Sequence, residues 1–567
     1  MSGGRDSTIV RLMRSGPVIA LVMALAAGAL EARQPVRARH AMVVTREAHA
    51  TDAGVAVLRS GGNAVDAAVA VGFTLAVTHP AAGNLGGGGF MLIRFADGRV
   101  TFLDFRERAP AAASRDMYLG PDGKPTRDSI EGWRAAAVPG TVRGLEYAAR
   151  KYGTRPWAEL LAPAIRLARE GFPVSWGLAQ SLRQSQLLAR FPESRRIFQR
   201  DGRFFEPGER LAQPELAATL ERIARHGADE FYQGETARRL TAAMRDHGGL
   251  ITLEDLKAYR VIEREPLRGR YRGLEILTAP PPSSGGVGIL QMLGVLEGTG
   301  FERHGAGSAA AIHWMAEAMR RFFADRSEYL GDPDFTRVPV RGLLDPRYLA
   351  QLRSSIDPER ATPSDRLRPG NPRQYESAET THYSIVDPQG NAVAVTYTLN
   401  GGYGSGVTVP GLGFLLNNEM DDFAARPGFP NYYGLVQGEA NAIAPGKRPL
   451  SSMTPTIVVR DGRLYMVVGS PGGPRIITTV LQVIVNVLDF GMNIQEATDW
   501  PRFHHQWLPD KLYMEPGISP DTRALLAARG FAIETTRSIG EVAAVLLEGG
   551  WLHGAADSRT EGKAAGF

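Results

Sequence analysis

The sequence predicts an α+β protein in which antiparallel sheets are stacked and covered by helices. Two observations carry that expectation. Residues 381–386 alternate, Asp387-Pro388-Gln389-Gly390 supplies turn chemistry, and residues 391–399 are rich in β-branched side chains, which reads as a hairpin. Residues 456–468, turning at Asp461-Gly462, read as another. Around these hairpins lie stretches with apolar residues at three- and four-residue spacing, at about 157–255, 309–330 and 476–490. No solenoid repeat breaks the order, so hairpins flanked by helices fit a layered domain.

Composition narrows the function classes. The chain has 567 residues, 43% apolar and 22% charged, which describes an ordinary folded protein and not a disordered one. A net charge of +5 is small for this length, and no dense Lys/Arg run carries interleaved aromatics, so nucleic acid is not an expected partner. There is no cysteine, which excludes disulfides, thiolate metal sites and a cysteine nucleophile. Arg5, Arg11 and Arg14 precede an apolar stretch over residues 17–30 and small residues up to Ala32. That stretch falls short of the about 20 residues a bilayer span needs. A signal peptide over residues 1–32 is expected, with an uncleaved anchor as its competitor, and either one exports the body of the protein to the periplasm or beyond.

In chain order, Thr51 or Asp52 is expected to cap a helix ending at Gly61-Gly62, and Asn63 to cap a buried helix over residues 64–77. Residues 82–89 end in four consecutive glycines. No Lys-Ser/Thr follows, and residues 90–95 read as a strand, so a tight backbone passage is expected and not a phosphate loop. Strand pattern continues over residues 100–105 and returns at 267–277. The stiff loop 280–286 opens another helix. The loop-rich tract 427–445 has the length of a lid. Two short elements, near residues 522–529 and 531–535, close the chain.

Five stretches can carry chemistry. Thr380 opens the first hairpin, and a cut after Glu379 would give it a free α-amine beside its hydroxyl. That amine, with an ordinary pKa of about 7.7–8.0, can serve as base for its own nucleophile; β-propensity alone also explains two threonines there. Gly472-Gly473 lead from a strand into a helix and leave N–H donors uncovered at its positive end, suited to an oxyanion or simply to close packing. Arg106 offers a planar fork matched to a carboxylate, or belongs to a solvated charge cluster with Glu107 and Arg108. Residues 417–422, with Glu419 and Asp422, crowd acids and amides that suit an ammonium or a hard cation, without calcium-loop spacing. Ser451-Ser452 precede a strand. His382, His504 and His505 read as structural, since none has a zinc-like partner spacing. A serine-hydrolase elbow is missing. No cofactor or metal is expected.

Taken together, these residues resemble the γ-glutamyltranspeptidase family of N-terminal-nucleophile hydrolases, over nearly all of the chain after residue 32. The resemblance is carried by residues 61–68 (GGNAVDAA), 84–90 (NLGGGGF), 104–107 (DFRE), 281–286 (PPSSGG), 380–383 (TTHY), 448–453 (RPLSSM) and Gly472-Gly473, in this order. It implies a four-layer αββα sandwich and self-cleavage between Glu379 and Thr380. The products would be a large subunit, residues 33–379, and a small one, residues 380–567, that stay together as a heterodimer. It further implies that Thr380 attacks a γ-glutamyl carbonyl, with Gly472 and Gly473 as oxyanion hole and Thr398 bonded to the nucleophile. Arg106, Ser451 and Ser452 would hold the substrate's α-carboxylate, Asn400, Glu419 and Asp422 its ammonium, and Tyr433 would sit in a lid. The acyl group would pass to water or to an amino acid or peptide amine.

One register argument opposes part of this. Counting back from a four-residue turn pairs Tyr397 with Thr380 and turns Thr398 to the other face. Gly401-Gly402 and Pro474 also replace polar residues found in some relatives. Two rivals remain: an acylase for glutaryl-type amides, which has no use for the Glu419/Asp422 cluster, and an exported binding protein without chemistry.

Overall fold

Two seven-stranded sheets form the centre of the molecule. The computed structural model describes residues 34–371 and 382–567. The predicted export segment and the predicted cut between Glu379 and Thr380 lie outside the described residues. Every ladder within the two sheets is antiparallel. One sheet runs Lys563–Gly566, Met42–Thr45, His382–Val386, Ala392–Thr398, Gly88–Arg94, Val100–Phe105 and Ile262–Arg264. The other runs Val36–Ala38, Trp551–Ala556, Ala543–Glu548, Arg463–Gly469, Thr456–Arg460, Leu274–Thr278 and Leu267–Tyr271.

Side chains alternate across a strand, and here both faces of each sheet are covered. Phe90, Leu92 and Phe102 point between the sheets, where they meet Ile457, Val467 and Val545. Met91, Ile93 and Leu103 point outward onto a helical layer that includes Ala64–Thr78. On the far side, Ile276, Val458 and Met466 pack against Gly285–Leu296, Ala309–Tyr329 and Arg475–Leu488. The order is helix, sheet, sheet, helix: the expected four-layer αββα sandwich. Among the described residues, no helix is long and apolar enough to cross a membrane.

Helix Ala64–Thr78 is buried along its whole length and opens with a capping box between Asn63 and Asp66. The preceding helix, Ala48–Arg59, starts earlier than expected because Glu47, not Thr51 or Asp52, caps it through His49 N and Ala50 N. Two expectations need correction. Residues 267–277 form two strands, since Arg272 (φ 50°) and Gly273 (φ 81°) make a tight turn between them. The C-terminus does not close at residue 535; a hairpin turning at Gly549-Gly550 and the edge strand Lys563–Gly566 complete both sheets.

The hairpin register is also corrected. The Asp387 carboxylate accepts from Gln389 N, Asn391 N and Asn391 Nδ2, and it reaches Ala64 N at 2.9 Å. Asn391 is thereby drawn into the turn, so Val386 pairs with Ala392 and His382 with Thr396. The sequence count had placed Val395 opposite His382. Thr398, two residues beyond Thr396, therefore shares the face of His382's partner and does not turn away.

Candidate active site

The glycine run at residues 86–89 is what lets the strand ends meet. A Cβ on Gly87 would lie 1.8 Å from Thr398 O, and one on Gly86 2.2 Å from Leu415 O. The space is filled by backbone, as expected for a tight passage. Asn84 fixes the junction, its Nδ2 donating to Thr398 O at 2.8 Å. Past the strand end, Asn400 takes φ 73°, which lets its N–H reach Thr398 Oγ1 (2.7 Å) and its Nδ2 reach Asn418 O (3.0 Å).

A cavity of about 300 Å³ opens at this point. Thr398, Asn400, Glu419, Asp422, Tyr433, Gly472 and Gly473 all line it. These candidates are scattered over the sequence, and the fold brings all seven together. Gly472 (φ 133°) and Gly473 (φ 56°) enter the helix Arg475–Leu488, and their N–H groups donate to no carbonyl among the described residues. Tyr433 closes one side: its hydroxyl donates to Asn400 O at 2.8 Å, and a Cβ on Gly473 would lie 2.8 Å from its ring. The loop carrying Tyr433 is anchored by Asp421, whose carboxylate accepts from Tyr432 N and Ser129 Oγ. Burial pushes the Asp421 carboxyl up to about 7.

Arg106 is placed differently from expectation. It is fully buried behind the cavity wall, with Nη1 on Glu419 Oε1 at 2.5 Å and Nη2 on Asp422 Oδ2 at 2.6 Å. Its Nε and Nη2 also face the carbonyls of Pro449 and Leu450 at 3.3 and 3.4 Å. The sequence had assigned the fork and the acidic pair to opposite charges of a ligand; the structure joins them directly, because buried opposite charges pair. Ser451 and Ser452 follow those two carbonyls, fully buried and off the cavity surface.

Glu107 was mentioned with Arg106 but not selected. It is fully buried, 3.5 Å from Arg106 Nη1, and neither oxygen has a hydrogen-bond partner among the described residues. Three carboxyls thus surround one guanidinium. Burial would lower the Arg106 pKa, but Glu419, Glu107 and Asp422 together raise it, so the cation is secure. Burial raises all three acids against the pull of Arg106, Glu107 to about 7. Of the three, Glu419 and Asp422 line the cavity, and Arg326 lies near enough to Asp422 to favour its ionised form.

The histidines are structural, as expected. His382 lies between the sheets, with Nδ1 3.1 Å from Thr396 Oγ1, Nε2 2.7 Å from Ser384 Oγ and its ring against Gly469. Burial lowers its pKa to about 3, and that of His504 likewise. Among the described residues, no group of His, Asp or Glu could hold a metal ion. Sequence reasoning missed Arg46, Arg475 and Glu541, which also line the cavity. Arg46 and Glu541 come from opposite ends of the chain and have no local signature; Arg475 follows the glycine pair by two positions.

Comparison with known proteins agrees with this arrangement. A family model described as gamma-glutamyltranspeptidase matches residues 50–567. The chain is 52% identical over 530 residues to a glutathione hydrolase proenzyme of Escherichia coli, covering 93% of this chain and 91% of that one. Among solved structures, it resembles a cephalosporin acylase from Bacillus halodurans (TM-score 0.84, 29% identity, 95% and 97% of the chains covered). It also resembles the γ-glutamyltranspeptidase of Helicobacter pylori, with TM-score 0.57 and 42% identity. That match covers 60% of this chain and 97% of the other. The acylase is the more distant of these in sequence. With a matching family model over most of its length and a relative of this identity, the chain belongs to the γ-glutamyltranspeptidase family.

Proposed function

We propose that this protein is an exported γ-glutamyl transferase and hydrolase that cuts itself between Glu379 and Thr380. Residues 1–32 serve as signal peptide, and residues 33–379 and 380–567 remain together as two subunits of one sandwich. The observation that carries the reading is the single cavity on which Thr398, Asn400, Glu419, Asp422 and the glycine pair converge.

In the mature enzyme the α-amine of Thr380 takes the proton of its own hydroxyl, and the oxygen attacks the γ-carbonyl of glutathione or a related compound. The corrected register supports a role for Thr398, which follows Thr396 by two residues and lines the cavity. The negative oxygen of the tetrahedral intermediate is received by the N–H groups of Gly472 and Gly473. The leaving amine takes the proton back, and the acyl group on Thr380 passes to water or to an amine. Arg106, Ser451 and Ser452, which lie just behind the cavity wall, bind the α-carboxylate once Arg106 turns an N–H from its acid partners toward the cavity. Asn400, Glu419 and Asp422, which line the cavity, bind the ammonium. That contact favours γ-glutamyl over glutaryl substrates, which have no ammonium.

Denaturing electrophoresis and N-terminal sequencing of the secreted protein test this. The expected result is two fragments, the smaller starting at Thr380, with hydrolysis of a γ-glutamyl anilide and little of a glutaryl anilide. Thr380→Ala is expected to stay uncut and inactive. An active enzyme in which residue 380 remains joined to Glu379 overturns the reading.

A further inference from the structure

The chain contains a single Asn-Gly step, Asn400-Gly401, and the fold sets it in the wall of the cavity. In such a pair the glycine has no side chain to shield its backbone nitrogen, and its conformational freedom lets that nitrogen swing onto the asparagine carboxamide and close a succinimide ring. Water reaches this peptide from two sides. Asn400 lines the main cavity, and Gly401 lines a separate pocket of about 220 Å³ that Asn418 also borders. Gly402 beside them is exposed, and a Cβ there would have no heavy atom within 4 Å. Asn418 restrains both groups that would react. Its Oδ1 accepts from Gly401 N at 2.9 Å, and its carbonyl accepts from Asn400 Nδ2 at 3.0 Å. Asn418 is itself fixed, with Nδ2 donating to Ile130 O at 2.9 Å and its N–H to Leu399 O at 3.0 Å. The fit is close, since a Cβ on Gly401 would lie 3.3 Å from Asn418 Nδ2.

We propose that Asn400 is a site of spontaneous deamidation, and that Asn418 is the residue that holds the reaction back. This covalent ageing does not depend on which substrate the cavity takes. Gly401 N gives its proton to hydroxide, and its electron pair attacks Asn400 Cγ. The Cγ–Nδ2 bond breaks, and the amide nitrogen leaves as ammonia with a proton from water. Water then opens the succinimide at one of its two carbonyls, giving aspartate at position 400 by one cleavage and isoaspartate by the other. One water enters for each ammonia released, and nothing is oxidised or reduced. Both bonds to Asn418 have to be released before the nitrogen can reach Cγ. The aspartate product sets a carboxylate oxygen against the Asn418 carbonyl, acceptor to acceptor, and adds charge beside Glu419 and Asp422. The isoaspartate product lengthens the backbone by one carbon and turns the Asn400 carbonyl, the acceptor for the Tyr433 hydroxyl, into a side group.

The test ages the purified protein in mildly alkaline buffer beside a synthetic peptide of residues 396–404. Peptide mapping by mass spectrometry follows deamidation at position 400, and isoaspartate methyltransferase labelling separates the two products. The wild type is expected to react at position 400 at least ~10-fold more slowly than the peptide, the scale of two hydrogen bonds. Hydrolysis of a γ-glutamyl anilide should fall in step with isoaspartate. Asn418→Ala is expected to raise the rate at least ~5-fold. Asn418→Ser takes its place if the alanine variant melts below the ageing temperature. Gly401→Ala, whose methyl group shields the nitrogen, is expected largely to stop the reaction and to keep its starting activity through ageing. A wild type that reacts as fast as the peptide overturns the role of Asn418, and so does an Asn418 variant within about twofold of the wild type. A peptide that reacts while neither the wild type nor the Asn418 variant changes at position 400 overturns the site itself.

Discussion

Replacing Arg106 by Gln removes the cation paired with both Glu419 and Asp422 and leaves three buried carboxyls near one another. Removing one partner of a buried ion pair costs about 3–5 kcal/mol, since the remaining charge cannot recover its hydration. Unfolding entropy of about 2.1 cal/mol/K per residue gives roughly 1.1 kcal/mol/K for residues 33–567, so the melting temperature should fall by about 2.5–4.5 °C. Scanning fluorimetry of the mature protein at pH 7 and one fixed scan rate measures this. The triple variant Arg106→Gln/Glu419→Gln/Asp422→Asn removes both sides of the pairing and should recover most of the loss. At pH 5 the deficit of the single variant should shrink, because carboxyls with raised pKa values take up protons in the folded state. A single-variant shift below about 1 °C at pH 7, or a triple variant that melts lower than the single, refutes the ion-pair account. Neither variant should bind γ-glutamyl compounds well, so binding and stability separate in the triple.

Glu107 titrates in the folded protein near 7 instead of 4.5, so its contribution is complete below 4.5 and is lost as pH rises through about 7. Glu107→Gln should therefore gain on the wild type between pH 4.5 and 7.5, at up to about 1.4 kcal/mol per unit; a constant difference in melting temperature rejects this. Gly473→Ala places a Cβ 2.8 Å from the Tyr433 ring at a positive φ. Displacing one N–H donor should lower kcat for a γ-glutamyl anilide by about 100- to 1000-fold, and a loss under tenfold argues against an oxyanion role. Tyr433→Phe deletes the bond to Asn400 O and should raise donor KM about fivefold, the equivalent of ~1 kcal/mol; an unchanged KM shows that this contact does not position Asn400.

Much of the architecture follows from local chemistry. Hairpins at Asp387 and at Asp461-Gly462, the Asn63 cap and the apolar helices near 64–77 and 476–490 are written in neighbouring residues, because turn geometry and side-chain period are short-range properties. The glycine run also announced its use, since nothing but close backbone approach needs four glycines before a strand. What escaped depended on partners far away in sequence. The strands Ala543–Glu548 and Lys563–Gly566 exist because the sheets have edges and gaps that they fill.

The register of the central hairpin was decided by a single side chain: Asp387 bonds Asn391 and the start of a distant helix, and this shift by one residue puts Thr398 on the His382–Thr396 face. The amino-acid order by itself determined which groups were available, a fork, an acidic pair, two glycines and a threonine at a strand's start. The tertiary structure alone decided how they are set against each other. It placed Arg106 directly on Glu419 and Asp422, and it brought Arg46 and Glu541 from opposite ends of the chain together as an ion pair on the wall of the same cavity. Charge pairing in a medium that excludes water depends on distances of a few ångströms, and such distances are set by packing between layers and not by spacing along the chain.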